Sequence, residues 1–185
     1  MAINNSEKIV QLDIAGIAVA LEIADDFKRA AVRERYLEFI ASDREPQAVI
    51  RVEVNAEAQF IPMRPGPWII ETAYDRGRLK YRSHCDAGHV DIEDGTGVLE
   101  IAPEADVENF LRVLYAHLCL REGGLLLHAA GVVDDGAGFI FFGPSGSGKS
   151  TASRLSLDKT ILSDDLVIIR IHGSEVRVYG VPFRG

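Results

Sequence analysis

The segment Gly143-Pro144-Ser145-Gly146-Ser147-Gly148-Lys149-Ser150 constrains this chain more than any other stretch. It satisfies the pattern G-x-x-x-x-G-K-[ST] at every required position. Glycines let a backbone wrap into a nest of inward-pointing N–H groups, and the positive end of a following helix sits beneath that nest. Both features favour a polyphosphate. In such a loop Lys149 reaches the β- and γ-phosphates and the Ser150 hydroxyl holds Mg²⁺. Four fixed positions match by chance in roughly one chain per hundred of this length, given a glycine usage of about 7%. The alternative is a flexible Gly/Ser turn with a solvated lysine. The flanks favour the phosphate loop. Gly138-Phe139-Ile140-Phe141-Phe142 is an apolar run that reads as a buried strand, and Thr151 to Leu155 can continue as a helix. The nucleotide contacts expected from this segment are Gly143, Pro144, Ser145, Gly146, Ser147, Gly148, Lys149, Ser150 and Thr151.

The 185 residues suffice for one domain or two small ones. A net charge of −8 argues against nucleic acid and anionic membrane as partners. A triphosphate is also an anion, so its site has to be locally positive against that background. The two cysteines, Cys85 and Cys119, form no CxxC pair and suggest neither a disulfide framework nor a structural zinc site. The cluster His84, Cys85, Asp86 and His89 could be a metal site, but it lacks a second cluster and lies in a polar turn between strands. No basic-then-apolar leader and no apolar run of about 18 residues is present, so the expected location is cytoplasmic.

Pattern and composition divide the chain near Gly123-Gly124. The first part, 1–120, reads as an α+β domain. Val10, Leu12 and Ile14 alternate with polar residues, and Ile17 to Leu21 returns as a partner strand across Ala15-Gly16. Asp25-Asp26 opens a predicted helix over Phe27 to Ile40. Ile50, Val52 and Val54 mark another strand, and Ile61 to Pro67 a proline-rich loop. Trp68–Ala73, Arg78–Arg82 and His89–Ile92 read as meandering strands, and Asp94 to Gly97 as a turn into Val98–Ile101. Val107, Phe110, Leu111, Leu114, Leu118 and Cys119 line one face of a helix that Gly123-Gly124 terminates. The second part, 124–185, holds the apolar strand Leu125–Val133, the strand before the loop, the loop, Thr160–Ser163 and the hairpin Leu166–Ile171 with Val176–Tyr179.

Phosphoryl transfer needs a carboxylate near the metal or the attacking hydroxyl. The acids after Ser150 are Asp158, Asp164, Asp165 and Glu175. The residues after Ser150 hold no distant Walker-type acid, transporter signature or guanine-reading Asn-Lys-x-Asp, so GTPase and transporter-ATPase functions are not expected. Asp164-Asp165 end a short strand, at the sheet edge where ligands collect, and adjacent strand residues point to opposite faces. A polar turn between strands explains the pair equally well. His128, alone in an apolar strand, reads by itself as a packed histidine.

Three segments in order, Leu127-His128-Ala-Ala-Gly131-Val132, Phe142 through Ser150 and Leu162-Ser163-Asp164-Asp165, together resemble the catalytic domain of the HPr kinase/phosphorylase family. The resemblance covers about a third of the chain, from Gly124 to Gly185. It implies an α/β nucleotide-binding domain of the phosphoenolpyruvate-carboxykinase type, here preceded by the α+β domain. It implies ATP and Mg²⁺ as cofactors and transfer of the γ-phosphate to a serine hydroxyl of a protein, a peptide or a small acceptor. It assigns Asp164 as the general base, His128 as a group that positions acid or phosphate, and Asp165 with Ser150 as metal ligands; Lys149 completes the catalytic set. Relatives form rings, so a homo-oligomer is implied as well. Residues 1–120 depart from the usual leader of that family. Family members continue past the equivalent of Gly185 with more sheet, a further acidic metal ligand and a substrate-binding region. A nucleotide portion of about 60 residues is marginal alone and has to lean on the N-terminal part, another subunit or further sequence. The competing function is a nucleotide-binding regulatory module without catalysis; a small-molecule carboxykinase ranks last.

Overall fold

The computed structural model describes residues 5–144 and 146–183. The chain forms two compact units, Met1–Leu114 and Tyr115–Gly185. The division falls inside a helix rather than at Gly123-Gly124.

In the first unit β1 (Ile9–Ile14) and β2 (Ile17–Ile23) form a hairpin. Its turn places Ala15 at φ 57° and Gly16 at φ 76°, the left-handed pair whose twist matches the flanking strands. Helix α1 (Asp26–Arg35) follows. The Asp25 side chain caps it by accepting from the Lys28 N–H at 2.7 Å. The helix stops at Arg35, short of the predicted Ile40, because Tyr36 leaves helical geometry and a single 3-10 turn, Leu37–Phe39, completes the segment. Strand β3 (Ala48–Val54) then pairs parallel with β2. Strands β4 (Glu71–Asp75), β5 (Arg78–Arg82), β6 (Asp86–Asp91) and β7 (Thr96–Ile101) form an antiparallel meander, and β7 returns to pair parallel with β3. The seven-stranded order is β1-β2-β3-β7-β6-β5-β4.

One face of this sheet is apolar and buried. Leu12, Ile50, Leu79, Val90 and Leu99 sit on it, each almost fully enclosed. Helix α2 (Glu108–Arg121) contributes Phe110, Leu111 and Leu114, also buried. Phe110 meets Tyr81 edge to face at 5.6 Å between ring centroids. The helical spacing read from the sequence therefore does correspond to a buried stripe.

The second unit holds β8 (Gly124–Asp134), β9 (Ala137–Phe142), α3 (Lys149–Leu155), β10 (Thr160–Ser163), β11 (Leu166–His172) and β12 (Glu175–Gly180). The order is β10-β8-β11-β12, with β9 against β8. Every pairing is antiparallel.

These facts overturn the expected fold class. Among the described residues the chain is mostly β, 44% strand and 20% helix, with two sheets and three helices. It is not an α/β nucleotide-binding domain behind an α+β domain. The physical reason lies in the connections. Parallel neighbours need crossovers of about a dozen residues or more, usually helical. In the second unit the turn Asp135-Gly136 joins β8 to β9 directly, and Gly173 lies in the turn joining β11 to β12. The helix after the loop has only 7 residues. A phosphate loop specifies one strand and one helical turn, and it leaves the rest of the sheet open.

The strand before the loop is also not buried as predicted. β9 pairs with β8 alone among the strands, and Phe139, Phe141 and Phe142 are exposed. An apolar run fixes strand propensity but not the number of neighbours. Among the described residues, no helix is long and apolar enough to cross a membrane.

Candidate functional site

β9 delivers the chain into the glycine loop, and α3 leaves it. Gly146 and Gly148 adopt φ 80° and 93°, conformations in which an L side chain is strained. Gly148 is the N-cap of α3, and its carbonyl accepts from the Ala152 N–H at 2.8 Å. The Ser147 N–H donates to the Pro144 carbonyl at 3.1 Å. Lys149 folds its ammonium back over the loop and donates to the carbonyls of Gly143 at 3.0 Å and Pro144 at 3.2 Å. A phosphate at the loop competes for the same ammonium. Ser145 lies outside the described residues.

The acidic pair reaches this loop through an interruption in strand pairing. β10 and β11 run along different parts of β8, with the register shifting between Ile161 and Ser163. Asp164-Asp165 occupy the gap between the two paired stretches. The Asp165 carbonyl still accepts from the Ala129 N–H at 2.9 Å. The Ser163 hydroxyl accepts from the N–H groups of Asp165 (3.2 Å) and Leu166 (3.1 Å), which pins the bend. Register shifts of this kind re-aim side chains beside active sites. Here the strict alternation of a strand, which predicts opposite faces for adjacent residues, is suspended, and both residues line the same cleft.

His128 stands on β8, in register with Leu166. Its side chain is 62% exposed and its Nε2 lies 3.1 Å from Asp165 Oδ1. It is therefore not the packed core histidine that an isolated reading of its strand suggests. The cleft has a volume of about 290 Å³. Gly146, Gly148, Lys149, Ser150 and Thr151 of the loop and helix line it together with His128, Asp164 and Asp165. Gly143, Pro144 and Ser147 belong to the loop but do not line the cleft itself. Ser163 is a positioning residue that the sequence reading left without a role. A serine just ahead of the Asp-Asp pair, at the end of a strand, is the signal that marks it.

The cluster His84, Cys85, Asp86 and His89 is dispersed by the fold. His84 Nδ1 donates to the Ile61 carbonyl at 2.9 Å and its Nε2 accepts from the Ile69 N–H at 3.2 Å, tying down the proline-rich loop. Asp86 is fully buried, with Oδ1 receiving the hydroxyls of Tyr81 (3.1 Å) and Ser83. Burial raises its pKa, against the lowering effect of those two hydroxyls. Burial and the neighbouring Asp86 also raise the Cys85 thiol. His89 sits on the opposite, solvent-facing side of β6.

Compared with known proteins, the chain matches no family model and no curated sequence.

Proposed function

We propose that the chain is a Mg²⁺-dependent, ATP-using serine kinase of the HPr kinase/phosphorylase-like class, transferring a γ-phosphate to a serine hydroxyl of a protein or peptide. One observation carries the reading: the glycine loop with Lys149 and Ser150, the Asp164-Asp165 pair and His128 come from three separate segments yet line a single cleft. A mere Gly/Ser turn has no reason to face two carboxylates and a histidine.

The donor set suits the metal. Ser150, Thr151, Asp164 and Asp165 offer hard oxygens with no thiolate among them, and Mg²⁺ is commonly held by one or two carboxylates together with substrate phosphates. Ser150 and Asp165 would hold it, and when bound it neutralises charge on the phosphates. Lys149 exchanges its loop carbonyls for phosphate oxygens, a charge-assisted bond in place of neutral ones. The loop N–H groups fix the phosphate tail for in-line attack. The serine oxygen bonds to the γ-phosphorus as the bond to the bridging oxygen breaks and the nucleoside diphosphate departs. Asp164, exposed and lining the cleft, takes the serine proton. His128 donates to Asp165 and holds that carboxylate in place. A cytoplasmic location, no role for nucleic acid, and assembly into a homo-oligomer belong to the same proposal.

Mass spectrometry of products after incubation with ATP, Mg²⁺ and serine-bearing proteins or peptides tests it. Wild type is expected to add phosphate to serine, Asp164→Asn to bind nucleotide without transfer, and Lys149→Ala to lose both. Binding without any phosphorylated product in wild type points instead to a regulatory nucleotide-binding module. Normal transfer by both variants refutes the assignment.

A further inference from the structure

The solvent-facing side of the first unit's sheet carries a hollow of about 620 Å³, within the usual range for ligand pockets. Strand register arranges its side chains in two rows. One row reads Ala73, Lys80, His89, Val98, Arg51, and the next reads Glu71, Arg82, Ala87, Glu100, Glu53. The depth comes from Ala73, Ala87 and Val98, short side chains among long charged ones.

Some charges that line the hollow face their opposites. Arg78 stands in register between Asp75 and Asp91, 3.8 Å from the latter, and Arg82 faces Glu71. Two other pairs in the same lining do not. Lys80 faces Ala73 on one side and a second nitrogen base, His89, on the other. Neither Lys80 nor His89 has an ion-pair partner among the described residues. Glu53 faces Glu100, a like-charge pair that costs stability. Arg51 (2.7 Å) and Asn55 (2.6 Å) compensate those two carboxylates only in part.

We infer that this hollow binds a short peptide with free termini, its carboxylate between Lys80 and His89 and its ammonium between Glu100 and Glu53. Such a zwitterion meets both pairs at once, a carboxylate at the nitrogen bases and an ammonium at the two carboxylates, which neither a plain anion nor a plain cation does. Geometry sets its length. The two pairs lie about two strand spacings apart across the sheet and two residues apart along it, or ~12 Å between centres. An extended chain advances ~3.4 Å per residue, so three or four residues span the gap. The inference is independent of the phosphate-loop cleft.

The test uses the full chain and a series of alanine oligomers, followed by calorimetry and by the NMR signals of the His89 ring. Affinity is expected to rise from alanine to dialanine and peak at trialanine or tetraalanine. Amidating the carboxyl end or acetylating the amino end should weaken binding about tenfold or more, the worth of one charge-assisted hydrogen bond. Lys80→Ala should remove the sensitivity to amidation and Glu53→Gln the sensitivity to acetylation. Ala87→Leu should fill the hollow and abolish binding. Lys80 and Glu53 are exposed, so both variants should remain folded, which their thermal melts check. Binding that ignores capping or length, inorganic phosphate binding as tightly as trialanine, or His89 signals unmoved by every oligomer would overturn it.

Discussion

Replacing Ser163 by alanine isolates the hydroxyl that holds the acidic pair. Its Oγ accepts two backbone N–H groups, from Asp165 at 3.2 Å and Leu166 at 3.1 Å, both half-buried. Each such bond contributes about 0.5–1.5 kcal/mol net, and water at a half-buried site recovers part of the loss, so the variant should lose about 1–2 kcal/mol. For a chain of this length that is a fall in melting temperature of about 2–8 °C, measured by differential scanning calorimetry. The chemistry should suffer more than the stability. Freeing the bend lets Asp164 and Asp165 drift in the cleft, and a displacement of about 1 Å at a reacting group can cost a hundredfold in rate. Phosphate transfer should therefore fall at least about tenfold with nucleotide affinity little changed, since the loop itself is untouched. Ser163→Thr keeps the hydroxyl and should restore both. A Ser163→Ala protein that melts and transfers like wild type refutes the reasoning. A lower melting temperature with unchanged transfer refutes the positioning role alone.

Phe110→Ala, at a fully buried ring, should cost about 3–5 kcal/mol in a urea unfolding titration. Gly138→Ala would place a Cβ 2.4 Å from Val178 Cγ1 and should destabilise the protein by about 1–3 kcal/mol; combining it with Val178→Ala should recover part of that loss, which a double-mutant cycle reads directly. Asp86 binds its proton more tightly folded than unfolded, so its contribution to stability grows as pH falls through its raised pKa, is complete below the ordinary value of 3.8, and is lost as pH rises. Melting temperatures measured across pH for wild type minus Asp86→Asn should show that slope, and a difference that rises with pH contradicts it.

Local structure was largely legible where physics is local. The alternation of Val10, Leu12 and Ile14, the Ala15-Gly16 turn and the apolar stripe of α2 each follow from near neighbours in sequence. Arg78–Arg82 is a strand with the predicted bounds. β4 begins at Glu71 rather than Trp68, and β6 at Asp86 rather than His89, because pairing partners set strand ends more than composition does. The architecture of the second unit was not legible. The glycine loop names its immediate flanks and Asp135-Gly136 the β8–β9 hairpin, while antiparallel pairing of β8 with β10 and β11 is a decision among distant segments. The link between His128 and Asp165 depends on the register of β11 against β8, so the strand of His128 by itself does not show it; only the family resemblance implied a positioning role. The exposure of β9 is not legible in its sequence, because Phe139 and Phe141 satisfy strand propensity whether or not anything lies over them.

The central claim is that the loop ending in Lys149 and Ser150 holds a triphosphate opposite Asp164 and Asp165. Calorimetric titration of ATP with Mg²⁺ into wild type and Lys149→Ala tests it most directly. Saturable binding by wild type, weakened at least about tenfold in the variant, is the expected result, since one charge-assisted contact to phosphate is lost. Equal affinity in the two proteins, or no binding by wild type, contradicts the claim.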